Sequence, residues 1–176
     1  DLASLLNVPY NTKDRTVARI GNRLEPDTTD WSTARTTLTH IKDVLCVLRW
    51  AENPRSRMAG FRVMQLLPGV GPAIAARLLD AMDELPDPVS AMRTFHAPPA
   101  AAADWAAFLG VYRALRQAKA GWPAGMDMVT HWYEPHLQRI HEDARVRQGD
   151  LVQLRQIAAT YPSRERFLTE VTLDPP

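Results

Sequence analysis

The residues best suited to bind a ligand lie in the segment LLPGVGPAIAARLL, residues 66–79. Gly69 and Gly71 flank the apolar Val70, and Ala75 follows four residues after the second glycine. Glycine tolerates positive φ and has no side chain, so a phosphate can approach the bare backbone there. We expect the N–H groups of Gly69, Val70 and Gly71 to face outward beside the start of a helix. Unpaired amides and the helix dipole favour an anion at such a place.

This segment resembles the helix-hairpin-helix element, which binds the DNA backbone without reading sequence. Val70 is expected to pack between the two helices, and Ala75 to allow their close approach. Arg62 on the first helix and Arg77 on the second are in positions to add phosphate contacts. One such element binds weakly, with a Kd on the order of 10⁻⁴–10⁻⁶ M that depends strongly on salt. The alternative interpretation is a plain helix–loop–helix with glycine caps.

The charge of the chain is unevenly distributed, although its formal total is only +1. Residues 40–77 contain six Lys or Arg and two acidic residues, whereas residues 78–111 contain five acidic residues and one arginine. A local basic stretch can form a phosphate-binding face, and we therefore include Arg55 and Arg57 among the predicted DNA contacts. On charge alone, a solvated surface with scattered ion pairs is the favoured interpretation.

Other binding and catalytic chemistries find little support in the sequence. It contains no G-x-x-x-x-G-K-[ST] motif, so an ATP phosphate cradle is not expected in this chain. His131, His136 and His141 are five residues apart, a spacing that turns a helix by about 500° and separates them. We expect surface histidines there and no metal site. The single cysteine, Cys46, excludes an internal disulfide and is expected to be buried and unreactive. We predict no catalytic, cofactor-binding or metal-binding residue.

Several tryptophans are candidates for stacking on bases. Trp105 lies on an apolar stripe and is expected to belong to the core, whereas Trp122 and Trp132 carry no further signal. Trp50 follows Arg49 within the basic stretch, and this pair remains a candidate for nucleic-acid contact.

Helical periodicity dominates the chain, and no clean alternating strand pattern is found. Apolar residues at 41, 44, 45 and 48 predict a helix that Pro54 ends, and residues 101–120 carry the strongest amphipathic stripe. A short helix up to Pro68 and a second helix from Pro72 enclose the glycine hairpin. We therefore predict an all-α fold, an irregular helical bundle containing a helix-hairpin-helix-like element.

The remaining helix boundaries follow from capping residues and helix breakers. Asp87 and Ser163 are expected to cap the amino termini of two short helices. A long helical region from Met126 to about Tyr161 should be kinked or divided by Pro135 and Gly149.

The size and composition of the chain are typical of a globular protein with a hydrophobic core. With 176 residues, 45% of them hydrophobic, the chain is long enough to bury a core. No apolar run approaches the roughly 20 residues that a membrane helix needs, and no signal peptide is recognised, so a cytoplasmic protein without membrane contact is expected. Residues 1–39 show weak periodicity, and we interpret them as a separate amino-terminal segment. We also expect that the closing LDPP is a point at which a longer polypeptide has been cut.

Residues 40–82, HIKDVLCVLRWAENPRSRMAGFRVMQLLPGVGPAIAARLLDAM, resemble the start of the 2B subdomain of UvrD/Rep/PcrA-type superfamily 1 DNA helicases. The most specific parts are the IKDVLCVLR helix followed by Asn53–Pro54, and the glycine hairpin. Residues 144–154 are similar to a later helix of that subdomain, and residues 161–176 to its last helix. The resemblance covers residues 40–176 and implies a 2B-like helical accessory subdomain there.

This resemblance implies a non-catalytic part of an enzyme. The parent protein would be an ATP-dependent 3′–5′ DNA helicase acting in replication or repair, with ATP and Mg²⁺ bound by motor domains 1A and 2A outside this chain. The 2B subdomain would contact duplex or forked DNA through the glycine hairpin and swivel to regulate activity. The partners implied are DNA and the motor domains of the same polypeptide, and the fragment itself is expected to be monomeric.

Two alternatives remain open at the level of sequence. The first is a stand-alone helix-hairpin-helix DNA-repair glycosylase or nuclease, which would need a positioned Lys or Asp after the hairpin. The second helix offers Asp80 and Asp83 but no lysine. The other alternative is a protein-interaction module in which the hairpin serves only for packing.

Overall fold

The computed structural model describes residues 38–117 and 121–171. All regular structure within these residues is helical, which confirms the predicted all-α class. The amino-terminal segment, apart from its last two residues, and residues 172–176 lie outside the described residues, as do the predictions made for them. The elements are α1 (Thr39–Glu52), α2 (Arg57–Met64), α3 (Pro72–Glu84), α4 (Pro88–Thr94), a short 3₁₀ helix (Pro99–Ala101), α5 (Ala102–Arg116), α6 (Ala124–Ile140), α7 (Ala144–Ala159) and α8 (Arg164–Glu170).

Helix α1 is the centre around which the other elements pack. Nine of its fourteen residues are buried, so it is covered on most of its circumference. It contacts α2, α5, α6, α7 and α8. The four apolar residues that predicted this helix (Ile41, Val44, Leu45 and Leu48) are all fully buried. The helix ends at Glu52, as the following Asn53–Pro54 pair predicted.

Trp50 is part of this core, which corrects its interpretation as a base-stacking residue. Its side chain is fully buried, its ring stacks on Phe108 with centroids 5.7 Å apart, and its indole Nε1 donates to the carbonyl of Pro54 at 3.2 Å. The Tyr112 hydroxyl donates to the Trp50 carbonyl at 3.0 Å. Its neighbour Arg49 donates to the carbonyl that follows α8. Neither side chain is therefore offered to an external base.

The amphipathic stripe of α5 faces the interior as predicted. Trp105, Phe108, Tyr112 and Leu115 are buried, and Leu109 is half-buried. Trp132 of α6 packs on Phe108 with centroids 5.0 Å apart and is also buried. The described tryptophans thus belong mainly to the core.

Capping residues set the ends of the short helices as expected. The Asp87 carboxylate accepts from the Val89 N–H at 3.2 Å, and the Ser163 hydroxyl accepts from the Arg166 N–H at 3.2 Å. Pro88 occupies the first turn of α4, where its missing N–H leaves no acceptor unsatisfied.

The long carboxy-terminal helical region, which Pro135 and Gly149 were expected to kink or divide, is divided at neither of these residues. Pro135 lies within α6 and Gly149 within α7, while the chain breaks at His141, whose backbone is extended with φ −119° and ψ 127°. Pro135 is on the exposed side, and the residues around it, among them Trp132 and Leu137, are buried against the core. Packing of these neighbours holds the helix through the proline, which outweighs the lost hydrogen bond.

Two smaller predictions concern Cys46 and membrane helices. Cys46 is half-buried rather than fully buried, and burial raises the pKa of its thiol, consistent with low reactivity. Among the described helices, none combines the length and the apolar character that a bilayer crossing requires.

Candidate nucleic-acid interface

The hairpin between α2 and α3 is built from successive tight turns. Helix α2 ends at Met64, four residues before the predicted end at Pro68, because hydrogen bonds of the three-residue type replace the helical ones there. The next turn closes with Val70 N–H donating to the Leu67 carbonyl at 3.2 Å. Proline in its second position and Gly69 with φ +75° in its third are the features of a type II turn.

Val70 and Ala75 are both buried, as residues in the expected packing positions would be. Val70 is 6% exposed, and Ala75 of α3 is fully buried. A further close approach lies at Gly60 of α2 and was not foreseen from the sequence. A Cβ on Gly60 would lie 2.7 Å from Leu79 Cδ2 and 2.7 Å from the Trp50 ring. The isolated glycine within a predicted helix was the only signal in the sequence for this contact.

Two backbone amides of the hairpin remain open. Gly69 is exposed and Gly71 half-exposed, and within residues 38–117 and 121–171 no group accepts from the N–H of either. The amide of Val70 differs from the prediction, because it donates inside the turn and does not face outward. Gly71 precedes α3 directly, so the open amides lie at the positive end of a 13-residue helix.

The surroundings of the two glycines differ. At Gly71, φ is −93° and a Cβ would meet nothing within 4 Å, so the backbone is accessible from that side. At Gly69, a Cβ would lie 3.8 Å from the Pro98 Cβ and 3.9 Å from the Ala100 Cβ. The loop between α4 and α5 therefore flanks the bend on one side while leaving it exposed.

Arg77 lies on the second turn of α3 and is exposed. Within the described ranges it forms no hydrogen bond or ion pair, so its guanidinium is available to an external anion. Among the predicted arginine contacts, Arg77 is the one whose guanidinium is not engaged by another group of the described residues, and it lies on the helix that begins at the open amides.

Arg62 is placed differently from what the sequence suggested. Its Nε donates to the Asp43 carboxylate at 2.7 Å and its Nη2 to the Thr39 carbonyl at 3.1 Å. The guanidinium thus pairs with α1 and is about one third exposed. Because Asp43 balances its charge, the Arg62 guanidinium is not available to a phosphate bound at the hairpin.

Arg55 and Arg57 are likewise engaged within the chain. Arg57 pairs with Asp80 at 2.5 Å and Asp83 at 2.9 Å, both on α3. Arg55 donates to the carbonyls of Leu85 and Pro86 at 3.0 and 3.2 Å. Arg57 is thus paired with acidic residues of the stretch that follows, and Arg55 donates to backbone carbonyls of the same stretch. The two pairs of Arg57 are ion pairs of the kind that charge alone favoured.

His136 is buried, which corrects its interpretation as a surface histidine. Its ring lies 4.6 Å from that of Trp132, and its Nδ1 is 3.2 Å from Arg139 Nη2. Burial lowers its pKa below the ordinary histidine value. His131 is exposed, and within the described parts of the chain no group of three or more potential ligands is placed to hold a metal ion.

Arg139 supports the hairpin from α6, which the sequence did not indicate. Its guanidinium donates to the Leu66 carbonyl, at the turn that follows α2. This contact joins two elements separated by 73 residues in sequence, and only the tertiary structure brings them together.

No protein-family model matches this chain, and neither the curated proteins nor the solved structures include a match. The candidate interface is therefore defined by its own geometry. It consists of the amides of Gly69 and Gly71, the amino terminus of α3, and Arg77, none of which has a partner among the residues that the structure describes.

Proposed function

We propose that this chain is the duplex-DNA-binding, regulatory 2B-like subdomain of an ATP-dependent 3′–5′ DNA helicase. The observation that supports this most directly is the pair of open amides at Gly69 and Gly71, which lie at the amino terminus of the helix that also carries Arg77. A phosphate oxygen is the natural acceptor for such donors, because the helix dipole and the guanidinium both favour negative charge.

The proposed contact does not read sequence. Backbone amides and one arginine bind phosphate oxygens, which are the same at every base pair. The affinity is expected to be weak and to fall steeply with salt, because one hairpin engages few phosphates. Such a contact suits an accessory subdomain that holds duplex ahead of a motor and releases it as the motor advances.

The proposal assigns no bond-making chemistry to this chain. ATP and Mg²⁺ would bind to motor domains 1A and 2A of the same polypeptide, and the subdomain would act through DNA contact and reorientation. The alternative of a stand-alone repair enzyme is disfavoured, because Asp80 and Asp83 after the hairpin are both paired with Arg57. A carboxylate held in this way is poorly placed to act as a general base.

The test is fluorescence anisotropy with a labelled duplex and a labelled fork at low salt. Gly71→Glu places a carboxylate at the proposed phosphate position, where the backbone tolerates a side chain. We expect affinity to fall about tenfold or more, equivalent to about 1.4 kcal/mol. Gly110→Glu is the matched control, because Gly110 is exposed on α5 with nothing within 4 Å of an added Cβ.

The outcomes separate the proposed function from its alternatives. Binding that the control retains and Gly71→Glu loses supports the hairpin as the DNA contact. Absence of wild-type binding at low salt would exclude the proposed function, and capture of motor domains without DNA affinity would favour the interaction module. Incision of an abasic site would favour the repair enzyme.

A further inference from the structure

We infer that a groove beside the hairpin receives the base of an unpaired nucleotide whose phosphate is held by the open amides. The interface would then prefer DNA containing an unpaired nucleotide, as at a fork, over continuous duplex. This inference rests on the proposed function and names the DNA structure that the same site selects.

The groove lies between α3, α4 and the loop that follows α4, with a volume of about 430 Å³. That volume is within the range of sites for small organic groups. Its walls are formed mainly by Ile74, Leu78, Ala81 and Phe95, with Arg77 and His96 as polar members.

The groove and the open amides are contiguous. Pro98 lines the groove, and its Cβ would be 3.8 Å from a Cβ on Gly69. Ile74 belongs to the first turn of α3, and its side chain lines the groove while its backbone N–H finds no acceptor among the described residues. Ile74 thus belongs both to the helix terminus of the proposed phosphate site and to the apolar wall of the groove. A single nucleotide can therefore contact both.

The lining suits a nucleobase. Phe95 is half-buried and is held edge-on against Trp105 at a centroid distance of 5.3 Å, which fixes its ring at the groove. Bases have flat faces that stack on aromatic and aliphatic side chains without dependence on sequence, worth about 1–3 kcal/mol for each base. A paired base within duplex cannot enter the groove, because its faces are already stacked.

Charge favours nucleic acid over another occupant. The groove is lined by no acidic residue, and Arg77 at its wall is unpaired within residues 38–117 and 121–171. Three other surface grooves of the described chain each contain a glutamate, namely Glu52 with Glu165 in two of them and Glu134 in the third. Among these four grooves, the one at α3 is therefore the most compatible with a polyanion.

The experiment compares a continuous duplex with the same duplex carrying one unpaired 2-aminopurine. We expect the wild-type chain to bind the second DNA at least about fivefold more tightly and to change the fluorescence of the unpaired base by stacking. Ala81→Glu introduces a carboxylate into the groove, and Phe95→Leu removes the aromatic ring without adding charge. Both variants should lose the preference and retain binding to continuous duplex, with Gly110→Glu as the charge control. Thermal unfolding followed by circular dichroism identifies any variant that fails to fold.

Different binding results would contradict this inference and the proposed function. Equal wild-type affinity for the two DNAs, or a preference that survives in a folded Ala81→Glu or Phe95→Leu variant, overturns the inference and leaves the hairpin contact intact. Absence of binding to both DNAs overturns the proposed function and the inference together. If the groove variants weaken binding to the motor domains and leave the DNA preference unchanged, the occupant is protein and the inference is wrong.

Discussion

The α2–α3 hairpin and the contact region of α1, α6 and α7 use polar groups in opposite ways. The hairpin leaves the amides of Gly69 and Gly71 unpaired within the described chain. The second region, here called the polar junction, is formed by His40, Asp43, Tyr133, Arg147 and Asp150 together with Arg62, and its charged and polar groups are bonded to one another. One region is open to a ligand, and the other is closed on itself.

The polar junction is closed because its central groups are buried. Asp43 is 3% exposed and accepts from Arg62 at 2.7 Å and from the Tyr133 hydroxyl at 2.6 Å. His40 is fully buried, with Nε2 3.0 Å from Asp150 and Nδ1 3.0 Å from Arg147. Arg147 is a donor only, so Nδ1 must be the acceptor and Nε2 carries the proton toward Asp150.

The difference follows from access to water. A buried carboxylate without partners is strongly destabilising, so the polar junction has to satisfy its groups internally. An exposed amide is hydrated in the free protein and can exchange water for a phosphate at small expense. Substitutions in the polar junction should therefore change stability, and substitutions in the hairpin should change binding.

The largest expected effect is that of Asp43→Ala. The substitution leaves the Tyr133 hydroxyl and the Arg62 guanidinium without their shared acceptor, and we expect a loss of about 3 kcal/mol, the lower end for a buried pair because Arg62 is partly exposed. Urea unfolding measures it. Asp80→Ala is the control, because its pair with Arg57 is exposed and should be worth less than about 1 kcal/mol. Equal losses in the two variants would contradict the comparison.

The next effect concerns the helix contact that supports the hairpin. Gly60→Ala places a methyl group 2.7 Å from both the Trp50 ring and Leu79, and neither can yield freely in a packed core. We expect destabilisation by about 1–3 kcal/mol. Gly149→Ala, in α7 with no atom within 4 Å of the new carbon, should instead stabilise by about 1 kcal/mol through helix propensity. The same sign for both substitutions would show that the contact at Gly60 is looser than the structure indicates.

A smaller effect separates the two glycines of the hairpin. Gly69→Ala forces a side chain into φ +75° and should destabilise by about 1 kcal/mol. Gly71→Ala meets neither positive φ nor a neighbouring atom, so its free energy of unfolding should change by less than about 0.5 kcal/mol. Denaturant unfolding of both variants checks the difference, and a larger loss for Gly71→Ala would argue against the turn described for residues 67–70.

The sequence predicted those features of the fold that depend on neighbouring residues. The turn at Gly69 follows from proline and glycine in adjacent positions, and the caps at Asp87 and Ser163 follow from side chains that reach amides two or three residues away. The helix α1 and its end before Pro54 followed from the apolar spacing and the proline, but its central position did not.

The side-chain contacts that were not predicted from the sequence join residues that are distant along the chain. Arg62 was predicted to contact phosphate, yet its partner Asp43 is 19 residues away on another helix. Arg57 is neutralised by α3 in the same manner, at separations of 23 and 26 residues. Arg139 reaches the hairpin across 73 residues. Periodicity places a cation on a helix face but does not reveal which carboxylate or carbonyl faces it.

The smallest expected effect is a pH dependence of the free energy of unfolding, which arises from the buried His136. Burial lowers the pKa of His136 and outweighs the opposing effect of the Asp104 carboxylate, while Arg139 acts in the same direction as burial. The folded state therefore binds a proton less readily than the unfolded chain. Its contribution to stability is therefore fully present above the unfolded pKa of about 6.5 and is lost as the pH falls toward the lower folded pKa.

Unfolding in urea between pH 8 and pH 5 tests this expectation. The wild-type chain should lose stability below about pH 6.5, and His136→Phe, which keeps an aromatic ring against Trp132, should show a shallower decline. Some dependence should remain, because burial also lowers the pKa of His141. His131→Phe is the control, since His131 is exposed and should leave the profile unchanged. If His136→Phe and wild type decline in parallel, the pH sensitivity resides elsewhere, and His136 contributes to the core as a packed ring only.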